Sequence, residues 1–288
     1  MSLRRSWPDG PWLITGASGL LGGEVVRHMA GRAPLYGAWF SRPPAPHAGV
    51  AYVQLDVADR AAVQALVQRL RPAVVIHTAY RKHEPDLLRV TAQGAGNVAQ
   101  AAADAGARLV HVSSDVLLDG EHAPYDETVQ PAPLHPYGVA KAEAEALVRQ
   151  AAASAAIVRT SLICRLAPPD PISAWVIDSL RQGQPITLFT DEIRSPVWVQ
   201  DLAAALIELA GLDYADVINV AGPQPLSRYQ MGERLARRLG LDPQGITAGE
   251  SLHSGLRRPR NCTLDVRLAQ RLLRTRLRSY DEGLGDIA

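Results

Sequence analysis

A tyrosine and a lysine four residues apart are the side chains in this sequence that most clearly suggest chemistry. Tyr137 and Lys141 occupy the run Tyr-Gly-Val-Ala-Lys, and on a helix residues four apart project from the same face. The chain uses arginine almost everywhere else, and its other lysine is Lys82. An ammonium is a compact charge that favours the phenolate form of a neighbouring tyrosine. The pair therefore predicts that Tyr137 has a lowered pKa and acts as a proton donor, tuned by Lys141.

A glycine-rich segment near the start predicts a site for a dinucleotide. It follows the apolar run 12–14 and precedes a helical pattern, and three glycines recur at intervals of three, at Gly16, Gly19 and Gly22. A strand, a tight glycine turn and a helix N-terminus form a cradle for pyrophosphate. We expect the cofactor contacts in this segment to come from Gly16, Ser18, Gly19, Leu20, Leu21 and Gly22.

The elements that must hold these two motifs alternate between strand and helix patterns. The further strands predicted in the first half are Leu35–Phe40, Ala51–Leu55, Ala73–His77, Arg108–Ser113 and Ala156–Thr160, and the helices are Leu20–Gly31, Ala58–Leu70, Pro85–Ala105 and Tyr137–Ala153. This order predicts an α/β protein with a doubly wound, Rossmann-type parallel sheet. We expect a nucleotide-binding domain over residues 1–165 and a smaller α/β substrate lobe over 166–288. The boundary is approximate, because the chain can cross back from the second lobe into the first.

Composition narrows the classes of function. The formal net charge of +1 over 288 residues gives no reason to invoke nucleic acid or an anionic membrane. Two cysteines are too few for a disulfide framework, the histidines do not cluster as metal ligands, and no apolar run reaches membrane-spanning length. The start lacks the apolar stretch of a signal peptide, so we expect a soluble cytoplasmic protein. From the scattered histidines we expect no bound metal.

Taken together, the motifs resemble the extended short-chain dehydrogenase/reductase family. The matching segments are Thr-Gly-x-x-Gly-x-x-Gly at 15–22, Asp-Val at 56–57, Val-Ser-Ser-Asp-Val-Leu-Leu-Asp-Gly at 112–120, Pro-Tyr-x-x-x-Lys at 136–141, Ile-Val-Arg-Thr at 157–160 and Arg-Ser-Pro-Val-Trp-Val-Gln-Asp-Leu-Ala at 194–203. Within the family, the Ser-Ser-Asp and Leu-Asp-Gly elements are most similar to dTDP-4-dehydrorhamnose reductases and to the related regulatory β subunit of methionine adenosyltransferase.

The resemblance implies roles for individual residues. Ser114, Tyr137 and Lys141 would be catalytic. Asp56 and Val57 would meet the adenine ring, and Thr78, Ala79 and Tyr80 would line the cofactor site together with Tyr137 and Lys141. Tyr80, Arg81, Ser114, Asp115 and Arg194 would contact the substrate.

Arg42 bears on which cofactor is used. It follows the second strand, where an acidic residue would bind the ribose hydroxyls of NAD and an arginine accommodates the 2′-phosphate of NADP. No acidic residue occurs between positions 35 and 53. The pattern therefore favours NADP(H), with NAD(H) as the alternative.

The sequence predicts a reductase that transfers hydride from NADP(H) to a carbonyl of a small polar substrate, such as a nucleotide-linked 4-keto sugar. Two alternatives stay open: an epimerase or dehydratase that retains NAD, and a regulatory subunit that binds the cofactor without turnover. A homodimer is the expected assembly.

Overall fold

A central parallel sheet and the helices on its two faces make up most of the molecule, which is described by a computed structural model for residues 7–255 and 257–286. The strands are β1 Trp12–Thr15, β2 Leu35–Trp39, β3 Val50–Gln54, β4 Val74–His77, β5 Arg108–Val112, β6 Ala156–Arg159, β7 Ile163–Cys164, β8 Ile186–Phe189, β9 Ile193–Arg194, β10 Val197–Trp198, β11 Val217–Asn219, β12 Leu226–Ser227 and β13 Ile246–Gly249. The helices are α1 Leu20–Met29, α2 Arg60–Leu70, α3 Gly94–Asp104, α4 Pro136–Ala151, α5 Pro171–Arg181, α6 Val199–Ala210, α7 Arg228–Arg238, α8 Arg267–Leu272 and α9 Tyr280–Gly285.

The strand order of the main sheet determines where a ligand can bind. Seven parallel strands lie in the order β11-β6-β5-β4-β1-β2-β3. The chain runs outward from β1 in one direction through β2 and β3, and then in the other direction from β4. In such sheets a crevice opens at the carboxyl ends of the strands where the direction reverses, here between β1 and β4. This arrangement confirms the predicted Rossmann-type fold.

Two apolar cores hold the helices onto the sheet. One face packs against α1 and α6, through residues such as Ile14, Val25 and Leu206. The other packs against α2, α3 and α4, through residues such as Leu13 and Val98. Side chains alternate between the faces along each buried strand, so Leu13 and Ile14 contribute to opposite cores.

The α4 helix, which carries Tyr137 and Lys141, has a well-defined start. His135 is its N-cap and accepts a hydrogen bond at Nδ1 from the Gly138 amide, at 3.1 Å. Pro136 occupies the first turn, where its missing N–H costs nothing. The predicted helix at 137–153 is therefore confirmed, with both ends shifted by one or two residues.

The second half of the chain builds a smaller lobe and also returns to the main sheet. Three two-stranded sheets pair β10 with β7, β12 with β9, and β13 with β8, and a separate core joins them to α5, α7 and α9. The β11 strand, however, pairs with β6 as the edge of the main sheet. The predicted division at 165/166 therefore does not coincide with the boundary of that sheet. No helix in the described part of the chain is long and apolar enough to cross a membrane.

Candidate active site

The glycine turn after β1 is shaped for close approach of a ligand to the backbone. Gly16 has φ +72°, and a Cβ there would lie 2.8 Å from the backbone nitrogen of Ala79. A Cβ on Gly22 would lie 2.2 Å from the Gly16 carbonyl oxygen. A side chain at Gly22 would therefore separate α1 from the turn, and one at Gly16 would push the turn away from the chain after β4. The turn brings the start of α1 directly against the carboxyl end of β1.

The N-terminus of α1 supplies hydrogen-bond donors at this turn. Gly19 is the N-cap and has no side chain to accept from the first-turn amides, and that turn contains no acidic residue. The first amides of a helix lack intrahelical partners and carry partial positive charge. Leu20 and Leu21 can therefore serve a phosphate only through their backbone, because the Leu21 side chain is buried in the core. These features fit a pyrophosphate.

A groove of about 170 Å³ extends from this turn along the carboxyl edge of the sheet. Its lining residues are Gly16, Ser18, Gly19, Ala38, Trp39, Phe40, Ser41, Leu55, Asp56, Val57, Thr78, Ala79, Tyr80, Arg81 and Val90. The groove thus brings together many of the residues assigned to the cofactor from sequence. It also includes the end of β2 from Ala38 to Ser41, which the sequence argument did not single out, although residues that end parallel strands face the ligand edge.

Asp56 lines the groove and is fixed by two neighbours. Its carboxylate accepts from the Ala58 amide at 3.0 Å and from Arg89 at 2.9 Å. Burial acts to raise the pKa of Asp56, but these hydrogen bonds prevail and hold it below its ordinary value. The neighbouring Val57 is buried against Gly94, where a Cβ would lie 2.8 Å from the valine side chain. Both residues line the groove, and their contact with adenine stays a prediction.

Two arginines lie at the groove mouth. Arg42 is exposed and follows Ser41, which lines the groove. Arg81 lines the groove itself, and its backbone is pinned by Thr91, whose hydroxyl accepts from the Arg81 amide at 2.9 Å and donates to its carbonyl at 2.7 Å. Thr91 lies in a π-helical turn, Arg89–Gln93, within the span for which the sequence predicted a regular helix.

Thr78 and Tyr80 connect the groove to α4. The Thr78 hydroxyl donates to the Thr15 carbonyl at 2.7 Å and so fixes the chain after β4 beneath the glycine turn. The Tyr80 ring lies 5.8 Å from the Tyr137 ring, and the Lys141 ammonium is 5.5 Å from the Tyr80 ring centroid. Tyr80 therefore lies between the groove and the Tyr137–Lys141 pair.

The electrostatics of Tyr137 differ from the sequence expectation. Desolvation, with smaller contributions from Tyr80 and the Asp115 carboxylate, raises the pKa of Tyr137 well above its ordinary value, whereas a lowered pKa was predicted. Lys141 is buried, donates to the Val112 carbonyl at 2.8 Å, and has a pKa lowered to about 8 by burial, although Glu145 acts to raise it. In this state desolvation outweighs any help from the ammonium. Tyr137 is accordingly a protonated phenol, the form that a proton donor needs.

Ser114 lies at the start of the 3-10 turn Asp115–Leu117, next to the start of α4. A Cβ on Gly138 would lie 2.5 Å from the Val116 carbonyl oxygen, so the turn and the first residues of α4 are in close contact. The Ser114 hydroxyl donates to Asp115 at 3.4 Å, and Asp115 also accepts from Ser161 at 2.6 Å. Burial raises the pKa of Asp115, and Arg194 opposes that rise. Asp115 is thus a buried anchor for Ser114.

Arg194 does not have the open position that substrate contact requires. Its guanidinium is 3% exposed and donates to the carbonyls of Ile193, Arg260 and Pro259 at 2.7–2.8 Å. Its Nε also lies 3.9 Å from Asp115. Five N–H donors in a rigid fork suit this bundle of carbonyls. The sequence prediction for Arg194 is therefore corrected: its donors bind backbone carbonyls within the second half of the chain, and only its approach to Asp115 reaches the first half.

A buried ion pair that the sequence argument missed supports α4 from behind. Glu145 and Arg159 are both buried and form two hydrogen bonds, at 2.9 and 3.0 Å. Arg159 also donates to the Val129 carbonyl, in the loop that leads to Tyr137. Since Glu145 is four residues after Lys141, the helical spacing that suggested the Tyr–Lys pair also contained this signal.

A dinucleotide-type groove, with a tyrosine–lysine pair packed against the Tyr80 ring that lines it, defines an NAD(P)-binding α/β protein of the short-chain dehydrogenase/reductase type. The RmlD substrate binding domain family matches residues 11–288. The chain belongs to that family, which confirms the family resemblance predicted from the sequence.

Sequence relatives include both an enzyme and a regulatory protein. The chain is 28% identical over 265 residues to a dTDP-4-keto-6-deoxy-D-glucose reductase from Streptomyces niveus, covering 88% of each chain. It is 29% identical over 257 residues to methionine adenosyltransferase 2 subunit beta from Xenopus tropicalis, covering 80% of this chain and 72% of the relative.

Solved structures agree on the fold. A protein described as a hypothetical dTDP-4-dehydrorhamnose reductase from Sulfolobus tokodaii matches with a TM-score of 0.83 and 26% identity, covering 93% of this chain and 97% of its own. A dTDP-4-dehydrorhamnose reductase from Bacillus anthracis, solved in complex with NADP, matches with a TM-score of 0.83 at 22% identity, covering 96% and 98%.

Proposed function

We propose that the protein is an NADP(H)-dependent reductase of a nucleotide-linked 4-keto sugar, as the sequence predicted. The observation that carries the proposal is the continuity of the site: one groove runs from the phosphate-type turn at Gly16 to Tyr80, whose ring lies 5.8 Å from the Tyr137 ring. A cofactor extended along it would end beside a protonated phenol. The reductase among the sequence relatives supports the same activity.

The residues of the chain have separate tasks in this mechanism. Bound NADPH would supply the hydride. Tyr137 donates its proton to the carbonyl oxygen of the substrate as that oxygen gains charge. Ser114, held by Asp115, orients the same oxygen through a hydrogen bond. Lys141, held by the Val112 carbonyl, favours the phenolate that remains after the proton has left.

A cluster of cations at the junction of the lobes supports an anionic substrate. Arg228 and Arg258 both donate to buried Glu192, at 3.3 and 3.4 Å. Lys82 lies close enough that, besides partial desolvation, both arginines lower its pKa. Arg194 and the Asp115 carboxylate also act on Arg228, so four cations face two carboxylates, and the excess of positive charge attracts an anion such as a diphosphate. In this proposal the cluster takes the place that the sequence assigned to Arg194.

Arg42 and Arg81 are proposed to select the cofactor. Both carry permanent positive charge at the groove mouth, where the 2′-phosphate of NADP would add negative charge. NAD(H) is the weaker alternative. The predicted cytoplasmic location and homodimer remain predictions.

The test is turnover of NADPH with a panel of nucleotide-linked 4-keto sugars, compared with the same sugars lacking the nucleotide. We expect NADPH oxidation that requires the nucleotide. Interconversion of sugars with no net change in cofactor would instead identify an epimerase or dehydratase.

The regulatory subunit is a second candidate, favoured by the similarity to methionine adenosyltransferase 2 subunit beta. It predicts tight NADPH binding in calorimetry with no turnover on any member of the panel. That result would reject the reductase.

A further inference from the structure

A row of buried polar side chains crosses the sheet behind Lys141. Thr15, His77 and His111 are register partners at the ends of β1, β4 and β5. The residues two positions before them, which share their face of the sheet, belong to the core packed against α2, α3 and α4: Leu13, Val75 and Leu109. The polar row therefore lies on the same side of the sheet as α4, and Lys141 extends from α4 toward the sheet.

The two histidines form a stacked pair with incomplete hydrogen bonding. Their ring centroids are 5.3 Å apart with an interplanar angle of 20°, and His77 Nδ1 lies 2.7 Å from Thr15 Oγ1. Each histidine is 1% exposed. Three ring nitrogens, His77 Nε2 and both nitrogens of His111, have no hydrogen-bond partner among residues 7–255 and 257–286. Leaving such groups unpaired destabilises the folded protein, so buried ring nitrogens normally have a hydrogen-bond partner, from the protein or from water.

Lys141 is close to this pair. Its ammonium has three N–H donors, and one of them is used by the carbonyl of Val112, the residue next to His111. The charged and titratable groups that face Lys141 are Glu145 on its own helix, His111 on β5, His77 on β4, and the phenols of Tyr80 and Tyr137; Arg159 on β6 is paired with Glu145.

Both imidazoles are uncharged at neutral pH. Burial and then the Lys141 cation lower the pKa of His77 to about 3, and burial, Lys141 and His77 place the pKa of His111 well below its ordinary value. A neutral imidazole keeps one nitrogen lone pair as an acceptor. The rings can therefore accept a hydrogen bond from an ammonium without repelling it.

We propose that His111, backed by His77, is a positioning residue for Lys141, accepting a hydrogen bond from its ammonium through one buried water. His77 holds the His111 ring by stacking and is itself fixed by Thr15. The arrangement keeps the ammonium charged and in place at the active site. The inference rests on the proposed function in one respect, that Lys141 works as a cation during reduction.

The composition of the chain allows a direct test. Because its lysines are Lys82 and Lys141, labelling with lysine enriched in carbon-13 at Cε gives two resonances, which the variant Lys82→Arg assigns. Titration of the cofactor-free protein by NMR then gives the pKa of Lys141 directly and does not require a turnover assay. We expect a midpoint near pH 8 in the wild type.

Three variants separate positioning from packing. His111→Phe keeps a ring to stack on His77 but removes the acceptor, and should lower the Lys141 midpoint by about one unit, as expected when a charged group loses a hydrogen bond. His111→Gln, which restores an acceptor, should recover most of that shift. Thr160→Val is the matched control, because it likewise removes a buried polar group that lacks a partner in the described part of the chain, here a hydroxyl, and it should leave the midpoint unchanged.

Kinetics supply a second readout. At pH 7.5 a one-unit fall in the Lys141 midpoint lowers the charged fraction about threefold, so kcat of His111→Phe should fall about threefold while the KM for NADPH stays within about twofold. Should His111→Phe not fold, His77→Phe is titrated in its place and should lower the midpoint in the same direction. An unchanged Lys141 midpoint in the histidine variant, or an equal shift in Thr160→Val, would overturn the proposal. If no keto sugar is turned over, the titration still decides it.

Discussion

Two buried cations, Arg194 and Lys141, differ in how many hydrogen bonds their donors make. The Arg194 guanidinium donates to three backbone carbonyls and lies 3.9 Å from Asp115. The Lys141 ammonium donates to one carbonyl and lies over the Tyr80 ring. Both were assigned to ligands from the sequence. A cation that makes three hydrogen bonds to backbone carbonyls holds the fold together, whereas one that makes a single such bond, and has a pKa lowered to about 8, is available for chemistry.

The largest effect is expected at Arg194, and it tests whether Arg194 and Lys141 have different roles. Arg194→Met should lower the free energy of unfolding by about 3 kcal/mol, because it removes the cation that lies 3.9 Å from the buried Asp115 carboxylate together with three hydrogen bonds to backbone carbonyls. Urea unfolding measures the loss. Lys141→Met is the matched variant, and should cost less than about 1 kcal/mol while abolishing turnover. Equal stability losses in the two variants would show that the two cations have the same role.

Tyr137→Phe should have the next largest effect. It retains the ring that packs on Tyr80 and His135 and removes only the proton donor. We expect kcat to fall at least a hundredfold, equivalent to about 2.7 kcal/mol, with NADPH affinity within about twofold. Tyr80→Phe serves as the control, since it should leave kcat within about tenfold. Near-normal turnover in Tyr137→Phe would contradict the assigned proton donor.

Arg42 is the test with the smallest expected effect, and it extends the comparison to an exposed cation. Arg42→Ala should weaken NADPH binding about tenfold, about 1.4 kcal/mol, and leave NADH binding unchanged, because only NADPH carries the 2′-phosphate. Calorimetry with both cofactors measures the difference. If the wild type bound NADH and NADPH equally well and the substitution changed neither affinity, Arg42 would not select the cofactor.

Local sequence patterns were sufficient for the elements and the motifs. The glycine spacing at 16–22 and the Tyr137–Lys141 spacing each depend on one element and its neighbour, and the structure places both at the carboxyl edge of the sheet. The strand–helix alternation likewise predicted the order of elements in the first half.

Features that depend on distant segments were not predictable in this way. Arg194 binds the backbone of residues 259–260, some 65 positions away, and nothing near it in sequence indicates those partners. The raised pKa of Tyr137 arises from burial by the folded chain, which the helical spacing to Lys141 does not reveal. The pairing of β11 with β6 also joins distant segments and brings the second half of the chain back into the main sheet.

The most direct test of the central claim follows the hydride itself. Wild-type protein is incubated with NADPH carrying deuterium at the transferable position of nicotinamide C4 and with a nucleotide-linked 4-keto sugar, and the product is analysed by mass spectrometry and NMR. The account predicts one deuterium on the carbon that was the carbonyl, with an equal amount of NADP⁺ formed, and almost no product with Tyr137→Phe. A product without deuterium, or bound NADPH that is never consumed, would contradict it.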